Sequence, residues 1–111
     1  MDKLAKYREC IKNLLMSFSD RSASYEDIET QIICDSERDH YLVFYVGWHN
    51  RKRMYGCVLH FDIKTSKVWL QHNGTEIDVA DELMKMGVLK EDIVLAFHEP
   101  NIRKFTDFDL G

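Results

Sequence analysis

The chain has 111 residues, enough for a single domain spanning 1–111 that buries its own core without disulfide staples. Its 45% hydrophobic content is ordinary, and no apolar run reaches the ~18 residues needed to cross a bilayer. Met1-Asp2-Lys3-Leu4 begins an amphipathic pattern rather than a secretory leader, so the expected location is the cytoplasm. A formal charge of -4 argues against holding nucleic acid mainly by neutralising phosphates, though it leaves room for a local basic patch. Cys10, Cys34 and Cys57 are odd in number and far apart, which fits reduced thiols used as small hydrophobes.

In chain order, Leu4, Tyr7, Ile11, Leu14, Leu15 and Phe18 recur at three-four spacing, which predicts a helix from Asp2, its N-cap, to about Phe18. Ser17 to Ser24 is rich in Ser and Asp and reads as a loop. Ile28–Cys34 and Tyr41–Trp48 read as strands joined by the polar turn Ser36–Asp39. His49–Arg53 reads as a loop, Met54–Ile63 as a third strand, Lys64–Lys67 as a turn and Val68–His72 as a fourth strand. Connections this short cannot make parallel crossovers, so the strands form an antiparallel meander. Asp78 caps a helix in which Val79, Leu83 and Met86 share a face before Gly87. Lys90-Glu91-Asp92 reads as a turn, Ile93–Phe97 as a short extended segment, and Glu99-Pro100-Asn101 as a break before a polar tail with Phe105 and Phe108. The expected class is α+β: an N-terminal helix, a four-stranded antiparallel meander, one or two helices and a short C-terminal extended segment.

Alternation along the strands assigns two faces. Ile28, Thr30, Ile32, Tyr41, Val43, Tyr45, Tyr55, Cys57, Leu59, Phe61, Ile63, Val68 and Leu70 are expected on a core face covered by the helices. The reverse face is expected to carry Ile33, Leu42, Phe44, Val46, Trp48, Met54, Val58 and Trp69 among Glu29, Gln31, His60, Asp62 and Gln71. A solvated face is usually more polar than this, and an apolar patch of more than a few hundred Å² generally marks a contact surface. Phe44, Trp48, Met54 and Trp69 are therefore candidate interface residues, with a homo-oligomer, a dimer in the first instance, or another protein as partner. The alternative is that the C-terminal segment with Phe105 and Phe108 folds over this face.

No catalytic constellation emerges, and the expectation is a protein without enzymatic activity, cofactor or metal. The five histidines, His40, His49, His60, His72 and His98, lack helical His-x-x-x-His spacing or partner cysteines. His72 is expected to point toward the core near Leu59, and His60 to lie near Gln71. Asp62-Ile63-Lys64 has the acidic-x-Lys form found in metal-dependent nucleases, but it needs an upstream acid, Asp39 or Asp35, and such a tripeptide at a strand end commonly serves solubility alone. Arg51, Lys52 and Arg53 form the one basic cluster; between Trp48 and Tyr55 it could meet a polyanion or an acidic partner surface, although such loops are usually just solvated.

The run Glu37-Arg38-Asp39-His40-Tyr41, Val46-Gly47-Trp48, Tyr55-Gly56-Cys57-Val58-Leu59-His60, Gln71-His72-Asn73-Gly74-Thr75-Glu76, Ala80-Asp81-Glu82-Leu83 and Glu91-Asp92-Ile93-Val94-Leu95 resembles the XisI-like family, the fdxN element excision controlling factors of cyanobacteria. The resemblance covers essentially the whole chain. It implies a small α+β accessory protein for excision of a DNA element during heterocyst differentiation, with a XisH-type protein as partner and the recombinase a separate protein. It carries over no catalytic residues. Leu89, Ala96 and Glu99 depart from the family pattern, where Pro, Gly and Pro respectively are common. Alternatives of other classes are a direct nucleic-acid-binding regulator of recombination and a metal-dependent nuclease using Asp62 and Lys64.

Overall fold

The computed structural model describes residues 2–20, 27–103 and 108–109. Helix α1 (Lys3–Asp20) is capped by Asp2, whose Oδ1 accepts from the Leu4 N–H at 3.2 Å. Its apolar stripe is buried as expected: Tyr7, Ile11, Leu14, Leu15 and Phe18, joined by Cys10, pack on the sheet. Ser17, expected in the following loop, is still helical and donates back to the Leu14 carbonyl at 2.6 Å. The rest of that loop falls largely outside the described residues.

Four strands follow, β1 (Ile28–Asp35), β2 (His40–His49), β3 (Lys52–Lys64) and β4 (Lys67–Asn73), paired antiparallel in chain order. They are longer than the sequence reading because two expected loops collapse to two residues each. Asn50 and Arg51 join β2 to β3, and Thr65 and Ser66 join β3 to β4, all four with positive φ between 50° and 67°. That is the type I′ pattern, whose twist matches that of the flanking strands. At the start of β1 the chain passes so close to Gly47 that a Cβ there would lie 2.0 Å from the Asp27 carbonyl oxygen.

Helix α2 (Val79–Lys85) is capped by Asp78, which accepts from the Asp81 N–H at 3.0 Å, and it buries Val79, Ala80 and Leu83. Met86, expected on that face, is exposed; Val88, beyond Gly87, is buried in its place. After a 3₁₀ turn at Lys90–Asp92, strand β5 (Ile93–Leu95) joins the sheet parallel to β4. The long connection through α2 makes that parallel step feasible where the hairpins cannot. A single-turn helix α3 (Pro100–Arg103) replaces the expected polar tail at that point. Leu89 lies in an extended conformation that proline also adopts, but its N–H donates to the Tyr7 hydroxyl at 3.3 Å, a bond proline cannot make.

Candidate functional site: the reverse face of the sheet

Two β-bulges decide which side chains reach the reverse face. Between Val43 and Phe44 the β2–β3 register slips, pairing Val43 with Leu59 but Phe44 with Cys57, so Val58 is the extra residue. Between His60 and Phe61 the β3–β4 register slips likewise, with Gln71 extra. Each slip reverses the alternation beyond it. Tyr55 and Cys57, expected in the core, therefore stand on the reverse face beside Val46 and Phe44. Val58, expected on the reverse face, packs against the core. Met54 pairs with Gly47 rather than Trp48, and so leaves the reverse face to Tyr55. His72 pairs with His60 and is exposed, not turned toward the core near Leu59.

The reverse face has two halves. Over β1–β3, Ile33, Leu42, Phe44, Val46, Trp48, Tyr55 and Cys57 make an apolar surface in which Ile33, Trp48 and Tyr55 are 44%, 53% and 68% exposed. The Phe44 and Tyr55 rings stand 5.8 Å apart. Arg53, opposite Trp48 in the register, lays its guanidinium 5.5 Å from the Trp48 ring and 5.9 Å from that of Tyr55. Of the basic cluster, Arg53 thus belongs to the face, while Arg51 and Lys52 sit exposed at the hairpin end.

Over β4 and β5 the chain's own C-terminal residues come into play. Trp69 is partly buried: Lys64 Nζ lies 4.1 Å from its ring and the Arg103 guanidinium, at the end of α3, 5.6 Å. Its indole N–H donates to the Lys64 carbonyl at 3.0 Å. Val94 pairs with Trp69 yet has no exposure, because Asp109 bridges to it and donates its N–H to the Ile93 carbonyl. Asp109 is further tied to Lys67 at 2.7 Å. Phe108 packs against the core cluster, and Phe105 lies outside the described residues. The described C-terminal residues thus lie over β4 and β5, while Trp48 and Tyr55 on the β1–β3 half stay exposed.

Between the halves lies a polar cluster. Asp62 Oδ1 accepts from His40 Nδ1 at 2.7 Å and from His60 Nε2 at 2.8 Å, and Asp62 Oδ2 from Gln71 Nε2 at 3.2 Å. A carboxylate can only accept, so both imidazoles carry a proton on the facing nitrogen. Burial pushes the Asp62 carboxyl up, and the two histidine hydrogen bonds more than offset it, leaving it below the usual carboxylate range. The sequence placed His60 and Asp62 on this face with Gln71 nearby; the partnership of His40 with Asp62 was missed, although their registered position across the β2–β3 hairpin carries the signal. The nuclease-like set is not assembled. Asp39 is held by Arg8 at 2.8 and 3.1 Å and by the Tyr41 hydroxyl at 2.9 Å, Asp35 accepts the Glu37 and Arg38 amides of its own turn, and Lys64 rests on Trp69.

The described helices include none long and apolar enough to cross a membrane. The XisI protein family model matches residues 1–110. A crystal structure of a XisI-like protein from Anabaena variabilis is 46% identical, with a TM-score of 0.91 over 97% of this chain and 99% of that one. The crystal structure of fdxN element excision controlling factor XisI from Anabaena variabilis is 33% identical, with a TM-score of 0.86 over 99% of this chain and 100% of that one. No curated protein matches the chain. With a family match over nearly its full length and two solved relatives of the same α+β build, the chain belongs to the XisI family.

Proposed function

We propose that this protein is a non-enzymatic accessory factor for excision of a DNA element, acting in the cytoplasm through protein contact made by the β1–β3 half of its reverse face. Membership of a family that includes an fdxN element excision controlling factor supports the biological setting. The observation that carries the contact mode is the apolar surface around Phe44, Trp48 and Tyr55, left open by the described residues and flanked by Arg53. An antiparallel sheet normally turns polar residues to water on its free side; aromatics under an arginine are instead the composition of interface centres. The partner in this reading is a XisH-type protein, the pairing that the family resemblance implies.

Co-expression of the full chain with a XisH-type protein from the same genome, followed by affinity purification at low and moderate salt, tests the reading. The pair is expected to co-purify, and Tyr55→Glu, which changes a side chain 68% exposed, is expected to abolish co-purification without altering the melting temperature. Failure of the wild-type pair to co-purify at either salt, or undiminished capture by Tyr55→Glu, overturns it.

A further inference from the structure

We propose that His40, His60 and Asp62 form a binding site for one divalent transition-metal ion, zinc by its donor set, at the centre of the reverse face. Three ligand atoms from three residues lie within 4.8 Å of one another: His40 Nδ1, His60 Nε2 and a carboxylate oxygen of Asp62. The backbone places them with little freedom. His60 and Asp62 are two apart on β3 and share a face, and His40 on β2 is directly opposite Asp62 in the register. All three lie on paired strands, His40 as the first residue of β2, so strand register rather than a loop sets their relative positions.

Two imidazoles and one carboxylate suit zinc and its neighbours in the first transition row, whereas magnesium and calcium call for oxygen donors throughout. Three protein ligands leave a fourth tetrahedral position open, and that position faces outward on an exposed surface. Bonds of about 2.0–2.2 Å put tetrahedral ligand atoms roughly 3.3 Å apart. The nitrogens now stand 2.7 and 2.8 Å from Asp62 Oδ1 and within 4.8 Å of each other, so zinc replaces the two shared protons, spreads each nitrogen from the carboxylate oxygen by about half an ångström and draws the two imidazoles to the tetrahedral spacing. Gln71, the residue inserted by the second bulge, donates to Asp62 Oδ2 and leaves Oδ1 aimed at the histidines, which is the orienting role an outer hydrogen bond plays at metal sites.

The competing account is a hydrogen-bonded cluster that only fastens β2 to β3. Titration of the chelator-stripped full chain with zinc, read by calorimetry, separates the two. One equivalent is expected to bind saturably, with affinity lowered more than about 100-fold by His60→Ala or Asp62→Asn and only about tenfold by Gln71→Ala. His72→Ala, on the neighbouring strand, is expected to leave binding unchanged. Circular dichroism checks that each variant is folded. Should His60→Ala not fold, cobalt added to the wild-type chain is expected to give the intense visible absorption of a tetrahedral centre. Absence of saturable zinc uptake, uptake indifferent to His60→Ala and Asp62→Asn, or a purely octahedral cobalt spectrum overturns the site.

Discussion

Tyr7 and Tyr41 carry their hydroxyls to the edges of the core, and each ends on a carboxylate. Tyr7 donates to Asp92 Oδ2 at 2.6 Å, Asp92 also meeting Lys3 at 3.2 Å; Tyr41 donates to Asp39, beside Arg8. Burial first, then the hydrogen bond to a negative acceptor, pushes both phenols up to about 12 from an ordinary 10.0. The folded state thus prefers the neutral phenol, so this stabilisation is present below pH 10 and lost as pH rises toward 12. Tyrosinate absorbance followed against pH should show Tyr7 and Tyr41 titrating late and together with unfolding. Tyr7→Phe should remove one late titration and cost about 1–3 kcal/mol in urea unfolding, because Asp92 stays buried without its shortest bond. Titration of Tyr7 and Tyr41 near the ordinary tyrosine value would contradict this. The helix stripe was legible in the sequence from its spacing alone. These latches were not, since Tyr7 and Asp92 are 85 residues apart and nothing local says which polar group at a stripe's edge will meet another.

At the scale of elements, the strands were legible because β-branched and aromatic residues cluster between polar breaks. Their faces were legible only as far as the first bulge. Alternation is a parity argument, and a single inserted residue inverts it: Val58 moves Tyr55 and Cys57 outward and Met54 away from Trp48, and Gln71 turns His72 out to pair with His60. No side-chain type announces such an insertion. The hairpin between β2 and β3 offers a cleaner test of local physics. Arg51 holds φ at 67° in a type I′ turn, a conformation that costs a side chain with a Cβ about 1 kcal/mol and costs glycine little. Arg51→Gly should therefore stabilise the fold by about 0.5–1 kcal/mol, raising the melting temperature by roughly 2–5 °C. Thr65 in the other hairpin is a poorer place to ask, because its hydroxyl donates to the Lys64 carbonyl and accepts from the Trp69 indole. A melting temperature lowered by Arg51→Gly would mean that the arginine side chain makes contacts outweighing its backbone strain.

Taken as a whole molecule, the sheet is covered unequally. Helices α1 and α2 bury the centre of one face, though Met54 at its end is still 36% exposed, while on the other the described C-terminal residues lie over β4 and β5. Trp48 and Trp69, which the sequence treated as equivalent, are consequently in opposite situations. Trp69 spends its N–H on the Lys64 carbonyl and lies under two cations, so Trp69→Glu should destabilise the chain by about 1–3 kcal/mol and report on folding rather than on contact. Trp48 is 53% exposed and approached only by Arg53 among the described cation–ring contacts, so Trp48→Glu should leave the melting temperature nearly unchanged. If the open half of the face seats a second copy, light scattering after gel filtration should give a dimer for the wild type and a monomer for Trp48→Glu. A two-fold pairing makes that response strong, because each interface then contains the substituted position twice and places the two new carboxylates in one buried patch. A wild-type chain that remains a monomer across the accessible concentration range would remove self-association and leave the apolar half of the face to a different chain. The same light-scattering measurement on the mixture with a XisH-type protein would then show whether one copy of each suffices to cover it.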